Sequence, residues 1–520
     1  MTGSLRWACV GVLAVGVVTL VLTGAYRPVE APAAFGIAAA IVAAALAAAM
    51  VVLAVARPWV GLLLFMAAMP IVNVARAQAN IGPIQLLPVT VIILALALGA
   101  ALQPRPPIDA RGGWWMWLAL GLAAGLAVAS TLATPVRGTA TNITLHGVLE
   151  PMAVFGVVLA LRPSPRQLVL GLLAFAAGVV VATLVNFAWL LLVVGPRDLY
   201  AQRMLFARLT YFNVGIFATS LVMAIPAVAS LLFGAWPMPA RRAASVAAWL
   251  AIGLILVALF FTYTKSAWLS AALVASLMVL LLVERWWRRV ALLLAIAALL
   301  AVVVPYPLAA LRVVAPGLAV VYESLLVDMQ GSGRVESWDP DTYNGSGSIG
   351  IRLEAIGAAA QITAGAPLLG VGPGGFQQEF ERIRPDASVP ELQSAHNLLP
   401  NLAAEYGLPF ALLVAIGLVL VIWRAMRSAW SLDPLVRVTG IAIGLSLVGF
   451  LAMATLFGTD LYRAYRTMNG DVIAAALLAG LAWALPGAAS GGAGPQAGQA
   501  IDQDPQLLAA GRDEGQRSGA

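Results

Sequence analysis

The chain has 520 residues, 62% hydrophobic and 10% charged, with mean hydropathy +0.93. Soluble domains carry about 25% charged residues, so the composition excludes a soluble globular protein and makes the bilayer the solvent for most of the chain. The formal charge is +7, Lys265 is the only lysine, and the single cysteine, Cys9, rules out both an intrachain disulfide and a cysteine metal site.

Each helical crossing takes roughly 20 apolar residues. Apolar runs predict spans near 7–25, 33–55, 59–72, 84–101, 114–133, 148–161, 168–194, 209–235, 246–263, 267–283, 290–308, 398–422, 438–457 and 471–485. Some are short enough to merge or re-enter. The expected fold is therefore an all-α polytopic membrane protein of about 12–14 transmembrane helices, with one large loop containing short helices. The expected divisions are a first part of the bundle (1–308), a large extracytoplasmic loop (309–397), a last part of the bundle (398–486) and a disordered cytoplasmic tail (487–520) rich in Gly, Ala, Gln and Asp. The first apolar run leads through Tyr26-Arg27-Pro28 into another span, so no cleavable signal peptide is expected. With the N-terminus inside, fourteen basic residues, Arg6, Arg57 and Arg285 among them, fall on inner connections. Nine, Arg27, Arg208 and Lys265 among them, fall on short outer ones. That bias places both termini in the cytoplasm and the long loop outside.

Within the loop, residues 317–330 predict a short helix, and Asp339, Asp341 and Asn344 a polar turn whose spacing does not fit an EF-hand. An amphipathic helix carrying Arg352 follows over 350–363. Gly370-Val371-Gly372-Pro373-Gly374-Gly375 has the glycine content of a phosphate-cradling loop, but no Lys-Ser/Thr follows it, so it reads as a tight turn between helices.

The segment from Ser394 to Gly407 gathers the polar groups. Asn397, Asn401 and Glu405, spaced i, i+4 and i+8, form one stripe on a helix, with His396 beside it. Pro400 is expected in the second turn, where it would loosen pairing and expose a carbonyl. Polar groups at membrane depth are costly and point to a site. A neutral imidazole there suits a general base. His146, the other histidine, has no such company in sequence and reads as structural.

His396-Asn397, nine residues and then Gly407 resembles the signature of the O-antigen ligase and O-antigen polymerase superfamily. Arg208-Leu209-Thr210-Tyr211-Phe212-Asn213 resembles that family's arginine-led middle span. Thr262-Tyr263-Thr264-Lys265-Ser266 resembles its Thr-x-Ser-Arg turn, with lysine in place of arginine. Arg352 and the run Pro367 to Phe376 follow in the family's order. Phe410 stands where the family has a small residue or tyrosine. The resemblance implies a metal-independent membrane glycosyltransferase without cofactor, acting on the outer face of the bacterial inner membrane. It would move a glycan from a polyprenyl diphosphate carrier to a glycan, lipid or protein acceptor, with polymerase slightly favoured over ligase. His396 would be the base. Arg208, Lys265 and Arg352 would bind diphosphate, with Asn213, Asn397, Glu405 and Gly407 in support. The bilayer is the other partner, and no nucleic acid is expected. The alternative is a transporter or flippase of lipid-linked glycans, which would also need an arginine-lined cavity.

Overall fold

The computed structural model describes residues 11, 13–14, 33–72, 79–81, 84–103, 114–135, 137–194, 214–233, 241–262, 264–303, 343–384, 394–395, 397–456 and 470–485. The first elements are α1 (Ala33–Ala56), α2 (Pro58–Val72), the antiparallel strands β1 (Ala79–Ile81) and β2 (Ile84–Leu86), α3 (Pro88–Ala101), α4 (Trp114–Ala133), α5 (Arg137–Thr144), α6 (Glu150–Leu161) and α7 (Pro165–Trp189). Then come α8 (Val214–Ala229), α9 (Arg241–Thr262), α10 (Lys265–Leu282), α11 (Trp286–Val303), α12 (Tyr343–Gly365), α13 (Phe376–Ile383), α14 (Leu398–Tyr406), α15 (Leu408–Arg427), α16 (Pro434–Leu451) and α17 (Gly470–Ala484).

In lipid every backbone polar group must be paired within the protein, and a long continuous apolar run does this as a helix. Among the described residues seven helices are long and apolar enough to cross a membrane, and five apolar helices are shorter. The chain is an all-α polytopic membrane protein, with one small two-stranded sheet among the described residues. Helix ends follow local chemistry. Ser164 and Gln167 cap α7 reciprocally, the Gln167 side chain accepting from Ser164 N–H at 2.8 Å, with Pro165 opening the helix. At the end of α17, Arg424 of α15 donates to the carbonyls of Trp483 (2.7 Å) and Leu485 (3.0 Å). Those carbonyls have no partner within the helix.

The interior of the bundle is α8 and α16, 83% and 78% buried over their spanning windows, whereas α9 and α15 are only 22% buried and stand at its periphery. Ser446 of α16 donates to Met223 O of α8 at 2.7 Å, joining the two central helices. Close approach uses small residues, as expected where lipid tails are as apolar as leucine. A Cβ at Gly178 of α7 would lie 2.2 Å from Ala67 O of α2, so these backbones touch.

Three expectations change. The apolar run 398–422 is two helices, α14 and α15, broken at Gly407. The run 148–161 belongs to a longer helical segment, Arg137–Leu161, interrupted by a π-turn at Leu145–Leu149. Pro151 lacks the N–H that Gly147 O would accept, and the Glu150 N–H instead closes a wider turn to Leu145 O. His146 is also not alone. It is 2% exposed, its Nδ1 2.9 Å from Glu150 Oε1 and its Nε2 2.9 Å from Gln85 O in β2. Thr90 of α3 donates to the same Glu150 oxygen. A carbonyl only accepts, so Nε2 carries hydrogen. Nδ1 and the carboxyl then share a single proton, and the pair is neutral overall. Its role is structural: it ties the hairpin and α3 to the π-turn. The predicted helix over 317–330, the polar turn near 339, nearly all of the first span and the tail lie outside the described residues.

Candidate functional site

The site is built around α14, nine residues long. Helix α12 lies along it, and Ala355, Ala358, Ala359 and Ile362 close over Ala395, Ala404, Phe376 and Phe380 to form a small core of their own. Between α12 and α13 the chain must reverse against α14, and its glycines make this possible. Gly370, Gly372 and Gly374 all have positive φ, at 66°, 89° and 84°. Val371 N–H donates to Ala404 O (2.9 Å), Gly372 N–H to Glu405 O (3.0 Å) and Leu408 N–H to Pro367 O (2.8 Å). The glycine run thus forms a main-chain clamp on the C-terminal end of α14. It satisfies the carbonyls that a helix end leaves orphaned. Gly407, at φ 88° and ψ 162°, is the other jaw: a Cβ there would lie 2.2 Å from Leu368 O.

The run is the expected tight turn, and its resemblance to a phosphate cradle has a physical basis. One of its N–H groups, with that of Phe376 just after it, meets an anion-type ligand, but the ligand is internal. Gly374 N–H donates to Glu405 Oε1 at 3.1 Å, and Phe376 N–H also bonds the carboxylate. Glu405 is 1% exposed, in a helix that ends before the spanning helix begins at Leu408. Burial pushes its carboxyl up to about 8, against the pull of the Gly374, Asn401 and Phe376 donors, which favour the ionised form.

Asn401, one turn earlier, is oriented by its neighbours. Its Oδ1 accepts from Ala395 N–H at 3.0 Å, and its Nδ2 faces Glu405 Oε2 at 3.4 Å. Asn397 departs from the expected stripe. It caps the helix start with extended φ −151° and ψ 129°, so only Asn401 and Glu405 share a helical face. Pro400 consequently falls in the first turn, where no N–H partner is required, and breaks nothing.

The far side of α14 is held by hydroxyls. Ser130 of α4 donates to Glu405 O at 2.9 Å. Thr131 spends its hydrogen on Ala127 O (2.8 Å), so Thr144 donates to Thr131 (2.6 Å) and Tyr406 to Thr144 (3.2 Å). Beneath α14 lies a cavity of about 280 Å³ bounded by α4, the π-turn, α6, α15, α16 and α17. Its walls include Ala123, Phe155, Val414 and Ala479, and the polar side chains reaching it, Asn401, Glu405 and Tyr406, all come from α14. Sequence reasoning missed this cavity, because its walls are ordinary apolar helix residues from segments far apart in the chain.

Of the expected site residues, Glu405 lies on α14, and Asn397 and Gly407 bound that helix at its two ends. Arg352 is half-buried on α12, one turn before the buried Ala355 that packs in the small core. Lys265 opens α10 after the Thr262–Thr264 turn, in which Thr264 N–H donates to the Thr262 hydroxyl at 3.4 Å. Both α10 and α14 contact the π-turn Ala452–Leu456. His396, Arg208, Asn213 and the Lys265 side chain lie outside the described residues. Among the described residues no three His, Cys, Asp or Glu gather as a metal-ligand set.

A family model described as O-Antigen ligase matches residues 250–415. No match was found among curated proteins. The matched segment runs from within α9 into α15 and contains α12, the glycine clamp, α13 and all of α14. Over this segment the chain is similar to the O-antigen ligase family.

Proposed function

We propose that the chain transfers a glycan from a polyprenyl diphosphate to an acceptor hydroxyl at the outer face of the bacterial inner membrane, both chain termini being cytoplasmic. The observation that carries this reading is the juxtaposition of a rigid polar helix, α14, with an apolar cavity in one bundle, inside a segment that matches the O-antigen ligase family. A lipid-linked sugar has the same two halves, a polar head and a long apolar tail.

In this scheme His396, immediately before Asn397 at the head of α14, takes the proton of the acceptor hydroxyl. The freed oxygen attacks the anomeric carbon of the donor sugar, the bond from that carbon to the diphosphate oxygen breaks, and the diphosphate leaves with the added negative charge. Arg208, Lys265 and Arg352 stabilise that charge. Lys265 has a physical warrant of its own. It opens α10, and a helix N-terminus attracts an anion through its free N–H groups and its dipole. Asn397, Glu405 and Gly407 support the base, with Asn213 on the arginine-led segment. The reaction takes no metal, and the extracytoplasmic loop 309–397 delivers the base to the donor. We favour polymerisation, with a second lipid-linked glycan as acceptor, over ligation to a different anchor.

The test is glycan transfer by the purified full-length protein from a polyprenyl-diphosphate glycan in detergent, without a membrane gradient. Product linkage is expected, and its absence with intact binding would favour a transporter. Abolition by His396→Ala is expected, and full activity in that variant would remove the base role. Activity lost to a chelator and restored by a divalent ion would overturn the metal-free scheme.

A further inference from the structure

We infer that Asn401 is a positioning residue for His396, the middle member of a relay that runs from the glycine clamp to the residue before the base. This rests on the proposal that His396 is the base. Four groups are in line: Gly374 N–H, the Glu405 carboxylate, the Asn401 amide and Ala395 N–H. The chemistry fixes the sense of every link. A backbone N–H only donates, so Asn401 must turn its oxygen to Ala395 and its nitrogen to Glu405. Glu405 in turn is offered donors by Gly374, Phe376 and Asn401. All three side chains and segments are out of water: Ala395 is fully buried, Asn401 8% and Glu405 1% exposed. A broken link there is not replaced by solvent.

The relay has a further consequence for position 396. Its preceding residue is held by Asn401, and its following residue, Asn397, heads α14 and accepts from Asn401 N–H at 3.1 Å. Asn401 therefore secures both covalent neighbours of the base, one with its side chain and one with its backbone. The backbone link survives any substitution other than proline, so a side-chain variant isolates the Ala395 link. The stripe of polar residues is thus an anchoring device whose members need not touch substrate.

The experiment compares four full-length variants in the purified transfer assay. Asn401→Ala is expected to lower kcat by roughly 100-fold, the cost of a reacting group misplaced by about 1 Å, with the donor KM nearly unchanged. Assayed above pH 8, where Glu405 is ionised, Asn401→Asp keeps the acceptor for Ala395 but sets two carboxylates face to face, and Glu405→Gln sets two amide nitrogens face to face. Each is expected to lose activity. Combined as N401D/E405Q, the groups exchange roles: the new carboxylate accepts from Ala395 N–H and from the new amide, whose oxygen accepts from Gly374 N–H. The double variant is expected to recover kcat above either single one, a rescue that a merely structural role does not predict. Additive losses would overturn the relay. Hydrogen exchange of the Ala395 amide provides a readout independent of catalysis and should quicken in Asn401→Ala. Unchanged exchange would overturn the relay even if His396→Ala is inactive. If His396→Ala is fully active, the base assignment fails separately, while quickened exchange still establishes the anchor.

Discussion

Gly407→Ala tests the clamp at its tightest point. The wild-type backbone sits at φ 88° and ψ 162°, a region open essentially to glycine alone, and a side chain forced there costs on the order of 1–3 kcal/mol. The added Cβ would also lie 2.2 Å from Leu368 O and 2.4 Å from Leu368 C, main-chain atoms that cannot rotate aside. Relief requires the jaws to part, which lengthens the 2.8 Å bond from Leu408 N–H to Pro367 O. That loss adds about 1 kcal/mol. A total near 3 kcal/mol corresponds to roughly a 100-fold increase in clamp opening. Hydrogen exchange of the Val371, Gly372 and Leu408 amides reads this directly, with thermal unfolding in detergent alongside. Gly253→Ala is the control, because a Cβ there meets nothing within 4 Å. Protection in Gly407→Ala as high as in the control would refute the clamp as the element that holds α14.

Other expectations follow from neighbouring features. The Glu405 carboxyl is raised from 4.5 to about 8 in the folded chain, so the folded state holds the proton more tightly. Its contribution to stability is full below the unfolded value and is lost as pH rises toward about 8, with a slope on the order of 1 kcal/mol per pH unit. Thermal midpoints should therefore fall between pH 5 and 8 more steeply in the wild type than in Glu405→Gln, and parallel curves would contradict this. His146→Ala leaves Glu150 and the Gln85 carbonyl without their histidine partner and should cost roughly 2–4 kcal/mol. Glu150→Gln can still donate to Nδ1 and should cost less than about 1 kcal/mol, so equal losses in denaturant or thermal unfolding would contradict the shared-proton arrangement. Ala475→Phe protrudes into the 280 Å³ cavity and should raise the donor KM for a long polyprenyl chain while sparing a short-chain donor. Equal effects on both would remove the cavity from tail binding.

Most of the helical bundle was legible in hydropathy, since long continuous apolar runs can satisfy their backbone in lipid only as helices. The break at Gly407 was not, because Leu398 to Val421 is almost continuously apolar and averaging erases a single glycine. Its local signal was present all the same: glycine followed by Leu408-Pro409 is the punctuation of one helix ending and another starting. The His146–Glu150 pair was half legible. Its i, i+4 spacing stands in the sequence, but Thr90 and Gln85 lie about 60 residues away. Similarly, Asn401 and Glu405 declared themselves as a stripe. That Glu405 would be met by a main-chain N–H of the glycine run, 31 residues upstream, depended on a chain reversal that spacing alone does not encode.

The clamp is made of backbone on both sides, and this separates what the scaffold needs from what it displays. Glycine is required where the two chains touch, yet Leu368 between them is 70% exposed and takes no part in the bonding through its side chain. The Leu368 side chain can be exchanged without loosening α14, whereas Val371 on the same loop packs against the small core. Such a division lets one hinge of main chain carry many alternative surfaces, and altering the surface leaves the position of α14 in place.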